Sequence, residues 1–353
     1  MTGNSDILFE AQGALGLITL NRPKAMNALT LDMIHAMTER LGEWAGDPDI
    51  AAVLIHGAGD KAFCAGGDVL ALIRPDNAAF IEGFFRDEYR LNRMIFRYPK
   101  PYIALIDGIA MGGGVGVSVH GRYRIATERT LFAMPETGIG MFPDVGGTYF
   151  LPRLAGEMGL YLGLTGARLR AADCVHAGLA EAFVSMDRHG DLLAGLADGR
   201  WPETLLADLG DGSGGEAGGE AGEAPIAGNR ESIDRCFSAG SVDEIMDRLR
   251  AEAGEWAVST LAAMGRMSPT ALKIAFRQIR EGRDLDFEDC MMLEYRLSQR
   301  VIPGHDFREG VRALLVDRDM SPQWAPPTLA AVTDDAIDGV FAPLPGGDLS
   351  FPD

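Results

Sequence analysis

The stretch KPYIALIDGIAMGGGVGVSVHGRYRIATERTLFAMPETGIGMFPDVGGTYFLPR, residues 100–153, decides the fold. Its apolar residues 102–106 predict a strand, a glycine triplet follows at 112–114, and small and apolar residues then predict a helix over 115–120. A turn between a strand and a helix directs bare backbone N–H groups at a ligand. Glycine suits such a turn because a ligand atom approaches an N–H closely only where no Cβ intrudes. We therefore expect an anion-stabilising turn at the triplet.

A second glycine turn lies earlier in the chain. The sequence FCAGGD, residues 63–68, opens a helix predicted over 69–73. Backbone N–H groups at such turns stabilise the oxyanion that develops on a carbonyl during acyl transfer. If the turns at Gly67 and Gly113 converge, one carbonyl oxygen accepts hydrogen bonds from both, and together they predict an oxyanion hole.

Two further turns in the opening stretch each contain a carboxylate. Glu136 lies in MPETGIG and Asp144 in FPDVGG, eight residues apart with Pro143 between them, so we expect both on loops rather than on one helix face. Two carboxylates held near one carbonyl permit general-base or nucleophilic catalysis together with proton donation. Carboxylates in turns are also common on protein surfaces, and that alternative stays open at this point.

A third carboxylate interrupts the apolar stripe of a helix predicted over residues 78–97. Glu88 lies seven residues after Ile81 and three before Leu91, and both of these belong to the stripe. Burying a carboxylate is costly unless it is paired or used. Glu88 therefore either forms an ion pair with a neighbouring arginine or lines a substrate cavity.

The composition excludes several classes of protein. A total of 32 Lys and Arg against 51 Asp and Glu gives a net charge of −19, which argues against nucleic acid or an anionic membrane as a general partner. The negative net charge still allows a polyanionic ligand to bind at a local basic patch. The four cysteines are far apart and form no C-x-x-C pair, which predicts reduced thiols. Neither a signal peptide nor an apolar run of ~20 residues is evident, so we predict a cytoplasmic protein.

Motifs for nucleotides, metals or a serine nucleophile are missing from the sequence. There is no G-x-x-x-x-G-K-[ST], the glycines at 112–116 do not extend to G-x-G-x-x-G, and no G-x-S-x-G occurs. The six histidines show no H-E-x-x-H or other metal-ligand spacing. We predict neither a cofactor nor a metal.

Alternating strands and helices give way to helices alone along the chain, which indicates an α/β fold with a helical C-terminal region. We predict a core over residues 1–205, a Gly- and Glu-rich linker or loop over 206–227, and a helical region with an extended tail over 228–353. The linker is centred on GDGSGGEAGGEAGEA, residues 210–224, whose composition cannot bury a core.

Three motifs resemble those of a known family: FCAGGD at 63–68, DGIAMGGGVG at 107–116 and MPETGIGMFPDVGG at 134–147. Over residues 7–320 the chain resembles the crotonase, or enoyl-CoA hydratase/isomerase, superfamily, and within it the 3-hydroxyisobutyryl-CoA hydrolase subgroup. The resemblance implies a ββα spiral of the ClpP/crotonase fold. It also implies an acyl-CoA partner, with CoA entering as part of the substrate rather than as a cofactor.

The resemblance implies roles for individual residues. The backbone N–H groups of Gly67 and Gly113 would form the oxyanion hole, and Glu136 would act as nucleophile or general base. Asp144 and Glu88 would hold the substrate hydroxyl. The CoA phosphates would need cations, and the candidates are Arg22, Lys24 and Lys61. For each of the three, a solvated position on the surface with no ligand is an equally good interpretation.

The implied reaction is hydrolysis of a hydroxyacyl-CoA thioester in valine catabolism. Hydratases of the superfamily usually have a second catalytic glutamate just after the glycine triplet, where this chain has Gly116. An enoyl-CoA hydratase, in which Asp144 would substitute for that second glutamate, remains the alternative. A non-catalytic acyl-CoA-binding protein is a third interpretation. Superfamily members are often trimers, which makes a homo-oligomer compatible with the sequence.

Overall fold

Ten strands and sixteen α-helices form the regular structure of the described residues. The computed structural model describes residues 5–74, 77–210 and 221–351. The strands, in chain order, are β1 (Ile7–Gln12), β2 (Leu15–Leu20), β3 (Ala52–Gly57), β4 (Ala62–Cys64), β5 (Tyr102–Ile106), β6 (Ile109–Met111), β7 (Tyr123–Ala126), β8 (Leu131–Ala133), β9 (Leu169–Arg170) and β10 (Ala182–Phe183).

The α-helices are numbered in the same way. They are α1 (Leu31–Gly46), α2 (Val69–Leu72), α3 (Ala78–Phe96), α4 (Gly113–Gly116), α5 (Gly147–Phe150), α6 (Met158–Thr165), α7 (Ala171–His176), α8 (His189–Ala197), α9 (Pro202–Leu209), α10 (Arg230–Phe237), α11 (Val242–Ala251), α12 (Glu255–Met264), α13 (Pro269–Gly282), α14 (Phe287–Val301), α15 (His305–Val311) and α16 (Asp334–Phe341). Short 3-10 helices include Glu136–Ile139 and Pro225–Asn229, and Arg312–Val316 forms a π-helix.

The chain divides into two units, each built from three segments. The first unit comprises Met1–Gly67, Arg90–Ala133 and Arg168–Ala227, and it contains all ten strands. The second unit comprises Asp68–Tyr89, Met134–Ala167 and Gly228–Asp353, and its regular structure is helical.

Two sheets organise the first unit. The six-stranded sheet has the order β1-β2-β3-β5-β7-β10, in which β1 and β2 form an antiparallel hairpin and the other neighbours are parallel. The four-stranded sheet has the order β4-β6-β8-β9, with β4, β6 and β8 parallel. Parallel strands need coverage on both faces, which explains why β5 is buried along its whole length.

Alternating side chains of the six-stranded sheet form the core of the first unit. They pack with helices α8 and α9 in one apolar cluster. Burial of these side chains is the main stabilising term, at roughly 25 cal/mol per Å² of apolar surface. The members of the cluster include Leu15, Leu17, Leu54, Ile103, Leu105, Ile125, Val184, Leu192, Leu196 and Leu205.

Helix α13 organises the second unit, where it packs against α5 and α6. Ser268 caps it by accepting a hydrogen bond from the Ala271 N–H at 3.1 Å, and Pro269 occupies the first turn. The helix ends at Gly282, where a Cβ would lie 2.0 Å from the Thr148 carbonyl oxygen. Only glycine permits this close approach of α13 to α5.

Most elements lie where the sequence predicts them. The strand at 102–106 is confirmed as β5, and the helices at 69–73 and 78–97 are confirmed as α2 and α3 within one residue at each end. All four cysteines are free and buried. No helix within the described ranges is long and apolar enough to cross a membrane.

The helix expected over 115–120 is wrong in its extent. Helix α4 begins at Gly113 and ends at Gly116, and turns follow. The Ser118 hydroxyl donates to the carbonyls of Gly114 and Val115 at 2.9 and 3.0 Å. The Ser118 N–H donates to the Val115 carbonyl three residues back, while its hydroxyl binds the Gly114 carbonyl, so the i to i−4 bonding of the helix is interrupted there.

Of the predicted linker, residues 211–220 lie outside the described residues. Its first part, 206–209, belongs to α9, and 225–227 belong to the 3-10 helix Pro225–Asn229. The boundaries of the three predicted parts at 205 and 228 stay a prediction.

Candidate active site

Two glycine turns lie side by side in the first unit. Strands β4 and β6 are parallel neighbours, with Ala62 opposite Ile109 and Cys64 opposite Ala110. Because the carboxyl ends of parallel neighbours meet at one edge of the sheet, the turns that follow them meet there too. A Cβ on Gly66 would lie 4.0 Å from the Gly113 backbone nitrogen.

Glycine is a steric requirement at two positions of these turns. Gly66 has a φ of +122°, which L side chains rarely adopt. A Cβ on Gly114 would lie 2.1 Å from the Cys64 carbonyl oxygen, a collision with backbone. The end of β4 and the start of α4 approach this closely because Gly114 has no side chain.

The backbone amides predicted to bind an oxyanion occupy these turns. Gly113 is the first residue of α4, so its N–H has no acceptor within the helix. Gly67 bridges to Leu29, whose N–H donates to the Gly66 carbonyl at 2.8 Å and fixes the turn. The oxyanion hole itself stays a prediction.

Glu136 is a buried carboxyl at the start of the 3-10 helix Glu136–Ile139 in the second unit. Its side chain is 4% exposed, and within the described residues its Oε2 atom has no hydrogen-bond partner. The Met141 N–H donates to the Glu136 carbonyl at 2.9 Å, and Gly140 ends the 3-10 helix at a φ of +71°. Burial raises the pKa of Glu136 well above its usual value, and Asp144 raises it further.

Asp144 is held by a tyrosine that sequence reasoning missed. The Tyr89 hydroxyl donates to Asp144 Oδ2 at 3.0 Å, and Tyr89 is fully buried. Burial raises the pKa of Asp144 to about 7, while the Tyr89 hydrogen bond opposes that rise. The pKa of Tyr89 itself is raised well above its usual value, mainly by burial, so the phenol stays protonated and donates.

Glu294, on α14, is the second residue that sequence reasoning missed. Its two carboxyl oxygens accept hydrogen bonds from the backbone N–H groups of Gly146 and Thr148, each at 2.8 Å. The side chain is fully buried, and burial followed by the charge of Asp144 raises its pKa to about 8.

Glu88 is buried, as the apolar stripe predicts, at 2% exposure. Burial raises its pKa well above the usual value, and the next causes are Asp144 and Glu294. The charges that act on Glu88 are therefore carboxylates rather than an arginine, which disfavours the ion-pair alternative. Its role in lining a substrate cavity stays a prediction.

These side chains form what we call the acid cluster: Glu88, Glu136, Asp144 and Glu294. Each member has a raised pKa with burial as the largest cause, and each of the three glutamates is raised further by Asp144. Carboxyls in this situation share protons and titrate as a set. With pKa values of about 7 and about 8, Asp144 and Glu294 exchange protons near neutral pH, the range in which a general acid or base works.

One signal in the sequence points to Glu294. It lies on the buried face of α14, three residues after Met291 and three before Leu297, as Glu88 lies on the stripe of α3. Tyr89 gives no such signal because a buried tyrosine next to Phe85 is ordinary in a helix core.

The cations predicted to bind CoA phosphates lie in the first unit. Arg22 donates to the Ala28 carbonyl at 2.6 Å and lies 3.6 Å from Asp6, so part of its guanidinium is engaged. Lys24 and Lys61 are exposed. Phosphate binding by the three stays a prediction.

The raised pKa of Asp144 predicts how stability depends on pH. Between its ordinary value of 3.8 and about 7, the folded chain keeps a proton that the unfolded chain has lost. This contribution to stability is complete below pH 3.8 and is lost as the pH rises through 7. We expect Asp144→Asn to flatten the decline of the unfolding free energy between pH 5 and 7, by up to about 1 kcal/mol per pH unit.

Urea unfolding of both proteins at several pH values measures this difference. Asp47→Asn, which changes a carboxylate at the end of α1 outside the acid cluster, is the control and should follow the wild type. Parallel curves for Asp144→Asn and the wild type would contradict a buried, largely protonated Asp144.

Comparison with known proteins places the chain in a family. A family model described as Enoyl-CoA hydratase/isomerase matches residues 15–341. The chain is 50% identical to 3-hydroxyisobutyryl-CoA hydrolase, mitochondrial, of Danio rerio, over 98% of this chain and 92% of that protein. It is 45% identical to the protein of the same name from Homo sapiens, over 98% and 91%.

Solved structures agree on the fold. A carnitinyl-CoA dehydratase from Mycobacterium thermoresistibile superimposes with a TM-score of 0.90 at 42% identity, covering 98% of each chain. An enoyl-CoA hydratase from Rhodobacter sphaeroides gives 0.89 at 39% identity, covering 98% of this chain and all of that one. The chain belongs to the enoyl-CoA hydratase/isomerase family. The predicted crotonase-like α/β fold with a helical C-terminal region is confirmed, and so is the predicted family.

Proposed function

We propose that the chain is a thioester hydrolase that cleaves 3-hydroxyisobutyryl-CoA to CoA and the free hydroxy acid. The observation that carries this proposal is the buried Glu136, whose Oε2 has no partner in the described residues and whose pKa is raised by burial and by Asp144. Relatives at 45 to 50% identity over almost the whole chain are named for this activity, which supports it.

The raised pKa of Glu136 suits either of two routes. As a general base, its carboxylate takes a proton from water, the water oxygen bonds to the carbonyl carbon, and the C–S bond breaks. As a nucleophile, a Glu136 oxygen bonds to the carbonyl carbon, the thiolate leaves, and water then opens the mixed anhydride. A buried carboxylate is more basic and less solvated than an exposed one, which favours both routes equally.

Asp144 is proposed to supply the proton that the departing thiolate takes up. Its pKa of about 7 means that protonated and ionised forms are both populated near neutral pH, which general acid catalysis requires. The Tyr89 hydroxyl donates to the Oδ2 atom of Asp144, which holds the carboxyl in place. With Glu88, Asp144 is also proposed to bind the substrate hydroxyl.

The backbone N–H groups of Gly67 and Gly113 are proposed to bind the thioester oxygen. The adjacency of their two turns supports this role, because a Cβ on Gly66 would already come within 4.0 Å of the Gly113 nitrogen. Removal of one such donor typically costs ~3–4 kcal/mol of transition-state stabilisation.

An enoyl-CoA hydratase is the second candidate, since two solved relatives at 39 and 42% identity have names from that class. Hydration of a double bond needs an acid and a base placed for both carbons. Gly116 has no side chain for this work, and its carbonyl accepts a hydrogen bond from the buried Asn92 amide at 3.1 Å. The hydrolase is therefore the better fit.

The two activities separate in one pair of assays. We expect CoA release from 3-hydroxyisobutyryl-CoA, followed with a thiol reagent, to exceed the rate of hydration of crotonyl-CoA, followed by loss of enoyl absorbance, by at least about 100-fold. Fast hydration with slow CoA release would favour the hydratase. Tight acyl-CoA binding with no turnover in either assay would indicate a binding protein.

The proposal extends to the pathway, the role of CoA, the oligomeric state and the compartment. We propose that the hydrolysis serves valine catabolism, that CoA enters only as part of the substrate, and that the chain forms a homo-oligomer of the trimer type. We propose the cytoplasm as its compartment, while the proteins of Danio rerio and Homo sapiens are named mitochondrial.

A further inference from the structure

The loop that contains Asp144 has a strained backbone. Val145, a β-branched residue, has a φ of +49°, and Gly146 follows with a φ of +90°. Branched side chains rarely occupy the left-handed region, and such a conformation persists only where surrounding contacts determine it. Some part of the structure must therefore hold the loop Pro143–Thr148.

Two buried polar side chains from the C-terminal helices hold that loop. Glu294 accepts hydrogen bonds from Gly146 and Thr148, with one carboxyl oxygen for each N–H. Gln278, on α13, donates its amide N–H groups to the Pro143 carbonyl and to Thr148 Oγ1. Both side chains are fully buried.

These contacts fix the backbone immediately before and after Asp144 in the sequence. The Pro143 carbonyl precedes it and the amides of Gly146 and Thr148 follow, while the Asp144 carbonyl itself accepts from the Gly147 N–H at 2.8 Å. The Asp144 carboxyl then reaches the Tyr89 hydroxyl at 3.0 Å. A carboxyl group whose two oxygens each accept a backbone N–H bond is geometrically demanding, because both oxygens are committed.

We infer that Glu294 is a positioning residue for the proposed hydrolysis, which fixes the Pro143–Thr148 loop and so places the Asp144 carboxyl. The inference rests on the proposed function. Both carboxyl oxygens of Glu294 accept hydrogen bonds from backbone N–H groups, so Glu294 acts through Asp144 rather than on the substrate.

Glu294→Gln and Glu294→Ala test this role. Glutamine keeps one acceptor oxygen and places an N–H donor opposite the other amide, whereas alanine removes both acceptors. We expect hydrogen exchange in peptides covering 143–150 to be at least tenfold faster in both variants than in the wild type. Glu294→Ala should exchange faster than Glu294→Gln. We expect kcat for CoA release to fall about 10- to 50-fold in Glu294→Gln, with KM within threefold of wild type.

Asp173→Asn is the matched control. Asp173 is also buried, at 7% exposure, and accepts a backbone N–H bond from Ile226 at 3.0 Å, but it lies in the first unit. This change should lower the melting temperature while leaving kcat within twofold of the wild type and exchange at 143–150 unchanged.

The outcomes separate the inference from the proposed function. A wild-type chain that turns over no 3-hydroxyisobutyryl-CoA would remove the proposed function, and the positioning role with it. Wild-type turnover combined with wild-type kcat in Glu294→Gln, or with unchanged exchange at 143–150 in both variants, would overturn the inference alone. A kcat loss equal to that of Asp173→Asn would also overturn it, since the role would then be structural only.

Discussion

Glu136→Gln is expected to lower kcat for CoA release from 3-hydroxyisobutyryl-CoA by about 10³-fold, with little change in KM. Glutamine has the same size and still accepts a hydrogen bond, but it neither takes a proton from water nor forms an anhydride. The loss therefore falls on the chemical step. Release of CoA followed with a thiol reagent, over a range of substrate concentrations, gives kcat and KM separately.

The fold should tolerate this substitution. The pKa of Glu136 is raised because burial disfavours its charge, so a neutral amide relieves an electrostatic cost. We expect a melting temperature equal to or above that of the wild type. Glu43→Gln, on the exposed face of α1, is the control for loss of one negative charge and should retain full activity. Retention of more than a tenth of wild-type kcat in Glu136→Gln would exclude Glu136 as base or nucleophile.

A single turnover in ¹⁸O-labelled water detects an anhydride that water opens at the Glu136 carbonyl. The general-base route puts the label only in the released hydroxy acid. An anhydride opened at the Glu136 carbonyl leaves one labelled oxygen in the enzyme. Mass spectrometry of the peptide that contains Glu136 detects the label.

Gly114→Ala is expected to lower kcat for CoA release by about 10²- to 10³-fold, the effect of losing one oxyanion donor. The new Cβ would lie 2.1 Å from the Cys64 carbonyl oxygen, so either β4 or α4 must shift. Gly113, the neighbour of the mutated residue, presents one of the two proposed donors. A shift of a few tenths of an ångström there removes the hydrogen bond to the oxyanion but leaves the acid cluster chemically intact.

Gly42→Ala is the matched control for this prediction. Gly42 lies in α1, where an added Cβ would meet no atom within 4 Å, and alanine is the better helix former there. We expect it to keep wild-type kcat with an equal or higher melting temperature. Circular dichroism establishes that Gly114→Ala is folded before its rate is compared. A folded Gly114→Ala with wild-type kcat would contradict an oxyanion hole at Gly113.

The sequence alone determined the local parts of this protein. Close spacing of glycines between a strand and a helix predicts the two turns, since φ values such as +122° at Gly66 are nearly exclusive to glycine. The motif that contains Glu136 and Asp144 identified the family. The apolar stripe of α3 predicted that Glu88 is buried, because a helix places residues three and four apart on one face.

Only the tertiary structure decided which groups surround the predicted carboxylates. Tyr89 lies 55 residues from Asp144 and Glu294 lies 148 residues from Gly146, so neither partner leaves a local pattern around the residue it contacts. Tertiary contacts likewise decide that each of the two units is assembled from three separate segments. Periodicity reports which face of an element is buried, but pairing between distant elements depends on how the whole chain packs. For that reason three members of the acid cluster were predicted from the sequence, and the fourth, Glu294, was found only in the structure.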